Sequence, residues 1–301
     1  MTSDRNIPAS VRQRLLNLAR NDKRPFGELL QYYVMERFLY RLSKSVHADH
    51  FILKGALMLR AWNSPEFRPT MDIDMLVRSS NEEANIKSQI LEILELEVET
   101  DGISFDPGSI RTEPITENTG YVGTRVRFIG FLSSARVSVQ IDIGFGDVIF
   151  PEPEVVELPT LLDYPAPSLM GYSRESTIAE KFEAMVKLGL LNSRMKDFYD
   201  IWLLSRQFSF DGAILAESIR LTFKQRGTEL ITEIDAFSES FINQKQSYWI
   251  SFYKRLNQDH VPASFREIVK EVEAFLAPIV SSILKATKTI ETWKPAGSWI
   301  I

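Results

Sequence analysis

Asp72 and Asp74 are the strongest candidates for functional residues in this 301-residue sequence. They lie in the stretch from Arg68 to Val77, where apolar residues alternate with them. In an extended strand both aspartates would point to one face and the apolar side chains to the core. Two carboxylates about 7 Å apart along a strand suit Mg²⁺, which takes oxygen ligands and often binds together with substrate phosphates. The alternative is a strand end that faces solvent.

A candidate phosphate contact lies upstream, at Lys54, Gly55 and Ala56. The pattern predicts a short approach that turns into a helix at Gly55. A glycine at a helix start lets the backbone come close to a ligand, and the first amides of a helix attract anions. These residues could hold a triphosphate, although a lysine–glycine pair alone is a weak signal.

A third acid lies in a predicted β-hairpin, formed by residues 121–131 and 136–143 with a turn at Ser133 and Ser134. The apolar residues of the second strand share one face, so Asp142 lies on the other face with Gln140. A third carboxylate beside the Asp-x-Asp strand would complete a two-metal site, in which cations clamp the attacking and leaving oxygens. A lone aspartate at a strand end is more often structural.

Charged residues interrupt the apolar stripes of two predicted helices in the C-terminal half. Lys181 shares its stripe with Met185, and Asp197 shares its own with Ile201, with Asp200 one turn along. Burying an unpaired charge is costly, so these groups should pair with one another or turn to a ligand. A structural lysine–aspartate bridge between two antiparallel helices and a role in a site both remain open.

The composition restricts the kind of site and of partner. The sequence has no cysteine and three histidines, which excludes thiolate zinc sites and argues against a multi-histidine metal site. The net charge of −5 does not indicate a nucleic-acid partner, although a global sum can hide a local basic face. No segment reaches the roughly 18 apolar residues of a membrane span, so we expect a cytoplasmic protein with no membrane contact.

Three regions are predicted to position these residues. We predict a helical lead-in over 1–46, a domain of strands and helices with the metal site over 47–168, and a helical domain over 169–301. The proline-rich stretch that begins at Phe150 cannot be helical and is predicted to bridge the last two regions. The fold class is therefore α/β in the α+β sense, with a mostly helical C-terminal domain.

The order of these motifs resembles the AbiEii-like nucleotidyltransferase toxins, a family of the DNA polymerase β-like nucleotidyltransferase superfamily. The resemblance covers roughly residues 50–206. It is carried by Lys-Gly-Ala at 54–56, Arg-Pro-Thr-Met-Asp-Ile-Asp at 68–74, the strand acid Asp142, Ala-Glu-Lys at 179–181 and Arg-Met-Lys-Asp-Phe-Tyr-Asp at 194–200. It implies a polymerase β-like mixed sheet with flanking helices that carries the metal site, followed by a mostly helical C-terminal half.

The resemblance also implies roles for individual residues. Asp72 and Asp74 would bind Mg²⁺ or Mn²⁺, with Asp142 as a third ligand and candidate general base. Lys181 would contact the phosphates of an NTP substrate, and Asp197 would orient Lys181 or the acceptor. The nucleotide-binding candidates are then Lys54, Gly55, Ala56, Lys181 and Lys196.

The activity so implied is Mg²⁺-dependent transfer of a nucleotidyl group from an NTP to an acceptor, with release of pyrophosphate. The family further suggests a toxin of a type IV toxin–antitoxin pair, an antitoxin with a winged-helix domain, and an RNA acceptor such as the 3′ end of tRNA. A protein or small-molecule acceptor and a catalytically silent nucleotide-binding module are the alternatives. Thr70 adds a hydroxyl near Asp72, where modification would add negative charge and interfere with nucleotide binding.

Overall fold

The chain divides into two compact units. The computed structural model describes residues 6–66, 68–78, 83–116, 122–286, 292–295 and 297–300. The first unit, here called the sheet unit, comprises residues 1–146 and 154–171. The second, here called the helical unit, comprises residues 147–153 and 172–301. The predicted proline-rich bridge is therefore split, since its first residues belong to the helical unit and the rest to the sheet unit.

The sheet unit is built from helices packed against a mixed sheet. Its helices within the described residues are α1 (Ile7–Asn21), α2 (Phe26–Lys44), α3 (Leu57–Ala61) and α4 (Glu83–Glu95). Its strands are β1 (Phe51–Lys54), β2 (Ile73–Val77), β3 (Ile103–Thr116), β4 (Val122–Leu132), β5 (Ala135–Phe145), β6 (Glu154–Glu157) and β7 (Ser168–Gly171). The described strands form one sheet in the order β3-β4-β5-β2-β1-β7-β6. The pairs β2–β5 and β1–β7 are parallel, and the other neighbours are antiparallel.

The hydrophobic core of the sheet unit follows the predicted alternation. On β5 the buried side chains are Val137, Val139, Ile141 and Ile143, which confirms the apolar face expected for the hairpin. The helix α2 is buried along most of its length and packs into the same core. Because one face of the central strands is buried, their polar side chains are confined to the other face.

Four strands of this sheet were not predicted as strands: β1, which was expected only as a short approach to a helix, and β3, β6 and β7. β3 and β6 are the edge strands, and an edge strand that exposes polar side chains shows little apolar alternation. β3 also has an irregular register between Asp106 and Arg111. β6 and β7 have four residues each and follow a proline-rich stretch, which hides them from a search for long periodic segments.

The helical unit is mostly α-helix, as predicted. Its described helices are α5 (Arg174–Leu188), α6 (Met195–Gln207), α7 (Gly212–Arg226), α8 (Glu239–Leu256) and α9 (Phe265–Lys285). Short strands β8 (Phe210–Asp211), β9 (Thr292–Trp293) and β10 (Trp299–Ile300) form a small antiparallel sheet. No helix among the described residues is both long and apolar enough to cross a bilayer. A mixed sheet with flanking helices and a mostly helical C-terminal part confirm the predicted fold class.

Candidate active site

One row of charged side chains crosses four central strands of the sheet unit. Lys54 of β1 is paired with Asp74 of β2, Asp74 with Asp142 of β5, and Asp142 with Arg125 of β4. Paired residues of neighbouring strands point to the same face, so all four side chains lie on one side of the sheet. The row, here called the charged row, has a cation at each end and two carboxylates between them.

Asp72 lies immediately before β2 and joins Asp74 and Asp142 in a cluster of three partly buried acids. One carboxylate oxygen of each residue lies within 4.8 Å of the other two. Among the residues that the structure describes, this is the one group with the spacing to hold a metal ion. Carboxylate oxygens are the ligands that Mg²⁺ and Mn²⁺ prefer, so this acid cluster fits a divalent cation.

The turn after β1 passes directly against the carboxylate of Asp74. Gly55 has a φ of +73°, and a Cβ at this position would overlap Asp74 Oδ2. Glycine alone satisfies both the left-handed backbone and the close approach. The helix that follows, α3, begins at Leu57 and not at Gly55, so the predicted helix start is wrong by two residues. The glycine therefore shapes the acid cluster.

Three further side chains hold the carboxylates of the cluster, and the weakest contact is from Gln140 Nε2 to Asp142 Oδ2 at 3.4 Å. The Thr70 hydroxyl donates a hydrogen bond to Asp72 Oδ1 at 2.5 Å. Arg125 donates from Nε to Asp142 Oδ1 and from Nη2 to Asp142 Oδ2, both at 2.7 Å. The bond to Asp142 raises the pKa of Arg125 above its ordinary value. Arg125 was not predicted as a site residue, although the predicted turn at Ser133 and Ser134 sets the register that pairs it with Asp142.

A second group of charges lies in the helical unit, on α5 and α6. Lys181 Nζ lies 3.0 Å from Asp197 Oδ1 and 2.8 Å from Asp200 Oδ2. Arg194 Nε donates to Asp197 Oδ2 at 2.6 Å. Both aspartates are buried, whereas 13% of the Lys181 side chain is exposed. The lysine–aspartate bridge between two helices, one of the two alternatives drawn from the apolar stripes, is therefore present.

The ionisation of Asp197 follows from competing effects. Burial acts to raise the pKa of this carboxyl, but the charges of Lys181 and Arg194 outweigh burial and hold the pKa well below its usual range. Asp197 is therefore a carboxylate at neutral pH. Asp200 and Arg194 were not among the predicted site residues, although both lie in the motif at 194–200. Lys196 of the same motif is exposed on α6.

A mixed sheet that presents a carboxylate cluster beside a glycine turn is suited to metal-assisted transfer of phosphate-containing groups. Comparison with protein families identifies the class more closely. The family model described as the nucleotidyl transferase AbiEii toxin, of type IV toxin–antitoxin systems, matches residues 37–271. The chain therefore belongs to the AbiEii nucleotidyltransferase toxin family. This confirms both the resemblance drawn from the sequence and the prediction that the protein is a nucleotidyltransferase.

Two solved structures from Helicobacter pylori are similar to this chain. One, of a proposed nucleotidyltransferase, has a TM-score of 0.49 and 14% sequence identity over 86% of this chain and 96% of that chain. The other, of JHP933, has a TM-score of 0.49 and 15% identity over 86% of this chain and 94% of that chain. A search of curated proteins found no match.

Proposed function

We propose that this protein is a Mg²⁺-dependent nucleotidyltransferase that transfers an NMP group from an NTP to an RNA acceptor and releases pyrophosphate. Family membership supplies the reaction class and its place in a type IV toxin–antitoxin system. The main support for metal dependence of the reaction is the acid cluster. Its three carboxylates offer oxygen atoms within 4.8 Å of one another. Such a set matches the oxygen-ligand preference of Mg²⁺, and Mn²⁺ should serve in its place.

The sheet unit would supply the metal ligands and their supports. When bound, a divalent cation would neutralise the triphosphate and stabilise the leaving pyrophosphate. Asp72 and Asp74 would hold it, and Thr70 would orient Asp72 through its hydrogen bond. Asp142 would act as a third ligand or as the base that takes the proton of the acceptor hydroxyl. Lys54, at one end of the charged row, would offer its ammonium group to a phosphate oxygen.

The helical unit would supply a second phosphate contact. In this proposal Lys181 binds a phosphate group of the NTP, and Asp197 and Asp200 fix the position of its ammonium group. Arg194 anchors Asp197 from the other side. A preorganised cation of this kind stabilises charge without having to reorganise during the reaction. Lys196, which is exposed, is a weaker candidate for the same role.

The acceptor and the partner rest on the family resemblance. We propose RNA, and the 3′ end of tRNA in particular, as the acceptor, and an antitoxin with a winged-helix domain as the partner. A protein or small-molecule acceptor would leave the acid cluster and Lys181 with the same roles. The experiment must therefore report the acceptor independently of the chemistry.

The test is transfer of α-³²P label from each of the four NTPs to total RNA in the presence of Mg²⁺. We expect a labelled band of tRNA size with the wild-type protein and none with Asp72→Ala or Lys181→Ala. Asp163→Ala is the matched control, because this carboxylate of the sheet unit is 99% exposed and lies outside the acid cluster. Label on protein or small molecules alone would overturn the proposal of an RNA acceptor. No transfer to any acceptor would favour the alternative of a catalytically silent nucleotide-binding module.

A further inference from the structure

We propose that Arg125 is a phosphate-binding residue. It pairs with Asp142 until a divalent cation binds this carboxylate, and it then binds a phosphate group. The inference rests on the proposed function and deepens it, because it assigns a residue to the polyphosphate of the nucleotide. Arg125 would exchange one anionic partner, Asp142, for another, a phosphate group. Neither the motifs of the sequence nor the metal-ligand set assigns this role to it.

Arg125 binds the same carboxylate that a metal ion at the acid cluster would use. Arg125 engages both oxygens of Asp142, each at 2.7 Å. A bidentate pair of this kind is among the strong side-chain hydrogen bonds, because the planar guanidinium matches the carboxylate. Asp142 also belongs to the acid cluster that fits a cation. A cation that binds an oxygen of Asp142 would withdraw charge from the carboxylate and repel the guanidinium, so it would weaken these bonds.

The charges of the cluster explain why an arginine stands there. Three carboxylates within 4.8 Å of one another repel, and a nearby cation stabilises them. Without a metal ion, Arg125 supplies part of that compensation at one end of the charged row. With a divalent cation present the carboxylates need it less, and the anionic triphosphate then brings charge that a guanidinium binds well.

The surroundings allow the arginine to change partner. The side chains of Arg125 and Asp142 are 28% and 21% exposed, so neither is locked inside the core. Arg125 Nη1 already lies 3.7 Å from Glu113 Oε1, a distance that marks a weak second contact. On the same strand, Arg127 donates to Glu113 Oε1 at 2.7 Å and to Gln140 Oε1 at 3.1 Å. Arg127 reaches Asp142 only through Gln140, whose Nε2 donates to Asp142 Oδ2 at 3.4 Å. Arg127 is therefore a matched control on the same strand.

The experiment measures metal binding and polyphosphate binding separately in Arg125→Gln. Mn²⁺ binding is measured by electron paramagnetic resonance without any phosphate ligand. Inorganic tripolyphosphate binding is then measured by calorimetry at saturating Mn²⁺, which avoids any dependence on the base. Arg125→Lys, which keeps a charge, provides a second variant if Arg125→Gln does not fold, and Arg127→Gln provides the control. Asp72→Ala removes one ligand of the acid cluster, so the Mn²⁺ binding that this variant loses is the binding at the cluster.

We expect opposite shifts in Arg125→Gln. Mn²⁺ should bind several-fold more tightly, because its competitor for Asp142 is gone, while tripolyphosphate should bind about tenfold more weakly, the loss of one charge-assisted hydrogen bond. Arg125→Lys should lie between wild type and Arg125→Gln for tripolyphosphate, and Arg127→Gln should match wild type in both. If Arg125 only props up Asp142, both affinities should fall together, and that result, or no change in either, would overturn the proposal.

Mn²⁺ binding by the wild-type protein separates the role of Arg125 from the metal-dependent function. If wild-type protein binds Mn²⁺ and the binding is lost in Asp72→Ala, the metal centre stands whatever Arg125 does. If wild-type protein binds no Mn²⁺ at the acid cluster, the metal-dependent function fails, and the role of Arg125 fails with it.

Discussion

Gly55 is the residue at which one added carbon atom should most disturb the acid cluster. Its Cβ would overlap Asp74 Oδ2, and its φ of +73° disfavours any other residue. We expect Gly55→Ala to reduce nucleotidyl transfer by about a hundredfold or more, because a displacement of reacting groups of about 1 Å has effects of that size. The labelled-NTP assay measures the loss.

Gly227 provides the control for backbone strain alone. It also has a positive φ, +63°, but a Cβ there would meet nothing within 4 Å. Gly227→Ala should lower the free energy of unfolding by about 1 kcal/mol and leave transfer intact. Equal losses of transfer in the two variants would show that strain, and not the contact with Asp74, explains the effect.

Asp197 is a residue whose charge should stabilise the folded protein. Its folded-state pKa lies below the ordinary value of 3.8, so its stabilisation is present above that value and is lost as the pH falls through the lower, folded-state pKa. At about pH 7, Asp197→Asn should therefore cost about 2–3 kcal/mol of unfolding free energy, since Lys181 keeps Asp200 as a partner and the Arg194 side chain is 35% exposed.

Chemical denaturation at about pH 7 and at about pH 3 tests this expectation. The difference between wild type and Asp197→Asn should shrink at the lower pH. Asp163→Asn, a change to a 99% exposed carboxylate, should show no such difference. A difference that grows as the pH falls would contradict the direction of the pKa shift.

The helix α2 carries a buried acid, Glu36, in the core of the sheet unit. Burial raises the pKa of Glu36 from 4.5 to about 7, although Arg37 at 2.9 Å and the Leu161 N–H at 2.8 Å act in the opposite direction. Because the folded state binds this proton more tightly than the unfolded state, the protonated Glu36 stabilises the fold. The stabilisation is complete below pH 4.5 and is lost as the pH rises through about 7. Relative to Glu36→Gln, wild-type unfolding free energy should fall by about 3 kcal/mol across that window.

Urea unfolding at a series of pH values measures this change in stability. Glu36→Gln removes the titrating proton and keeps the shape of the side chain, so only the pH dependence of the difference is diagnostic. A constant difference between the two proteins would show that Glu36 does not titrate in this range.

The elements also show why part of the site could be predicted and part could not. The alternation of β5 and the spacing of Asp72 and Asp74 are local patterns, so both could be read from the sequence. The parallel pairing of β2 with β5, which sets Asp142 beside Asp74, joins segments far apart in the chain. No local pattern encodes that pairing. Arg125 differs in this respect, because its partner Asp142 lies across the predicted hairpin and the turn at Ser133 and Ser134 fixes the register that pairs them.

The activity of the protein in a living cell tests the proposed roles of the acid cluster and of Lys181 together. Loss of the acid cluster and loss of Lys181 should each abolish that activity. For a member of a toxin family, that activity should be visible as arrested growth when the chain is expressed in bacteria. We expect arrest with wild type and Gly227→Ala, and normal growth with Asp74→Ala and Lys181→Ala.

Protein levels and circular dichroism separate lost activity from lost folding in this experiment. Asp74 is partly exposed, so truncating it should leave the sheet intact. Lys181→Ala leaves two buried aspartates without their shared cation, so Lys181→Met, which fills a similar volume, should accompany it. Growth arrest by soluble Asp74→Ala protein would show that toxicity does not depend on the metal centre. Arrest by both lysine variants would remove Lys181 from the activity and leave its bridge to α6 as a structural feature of the helical unit.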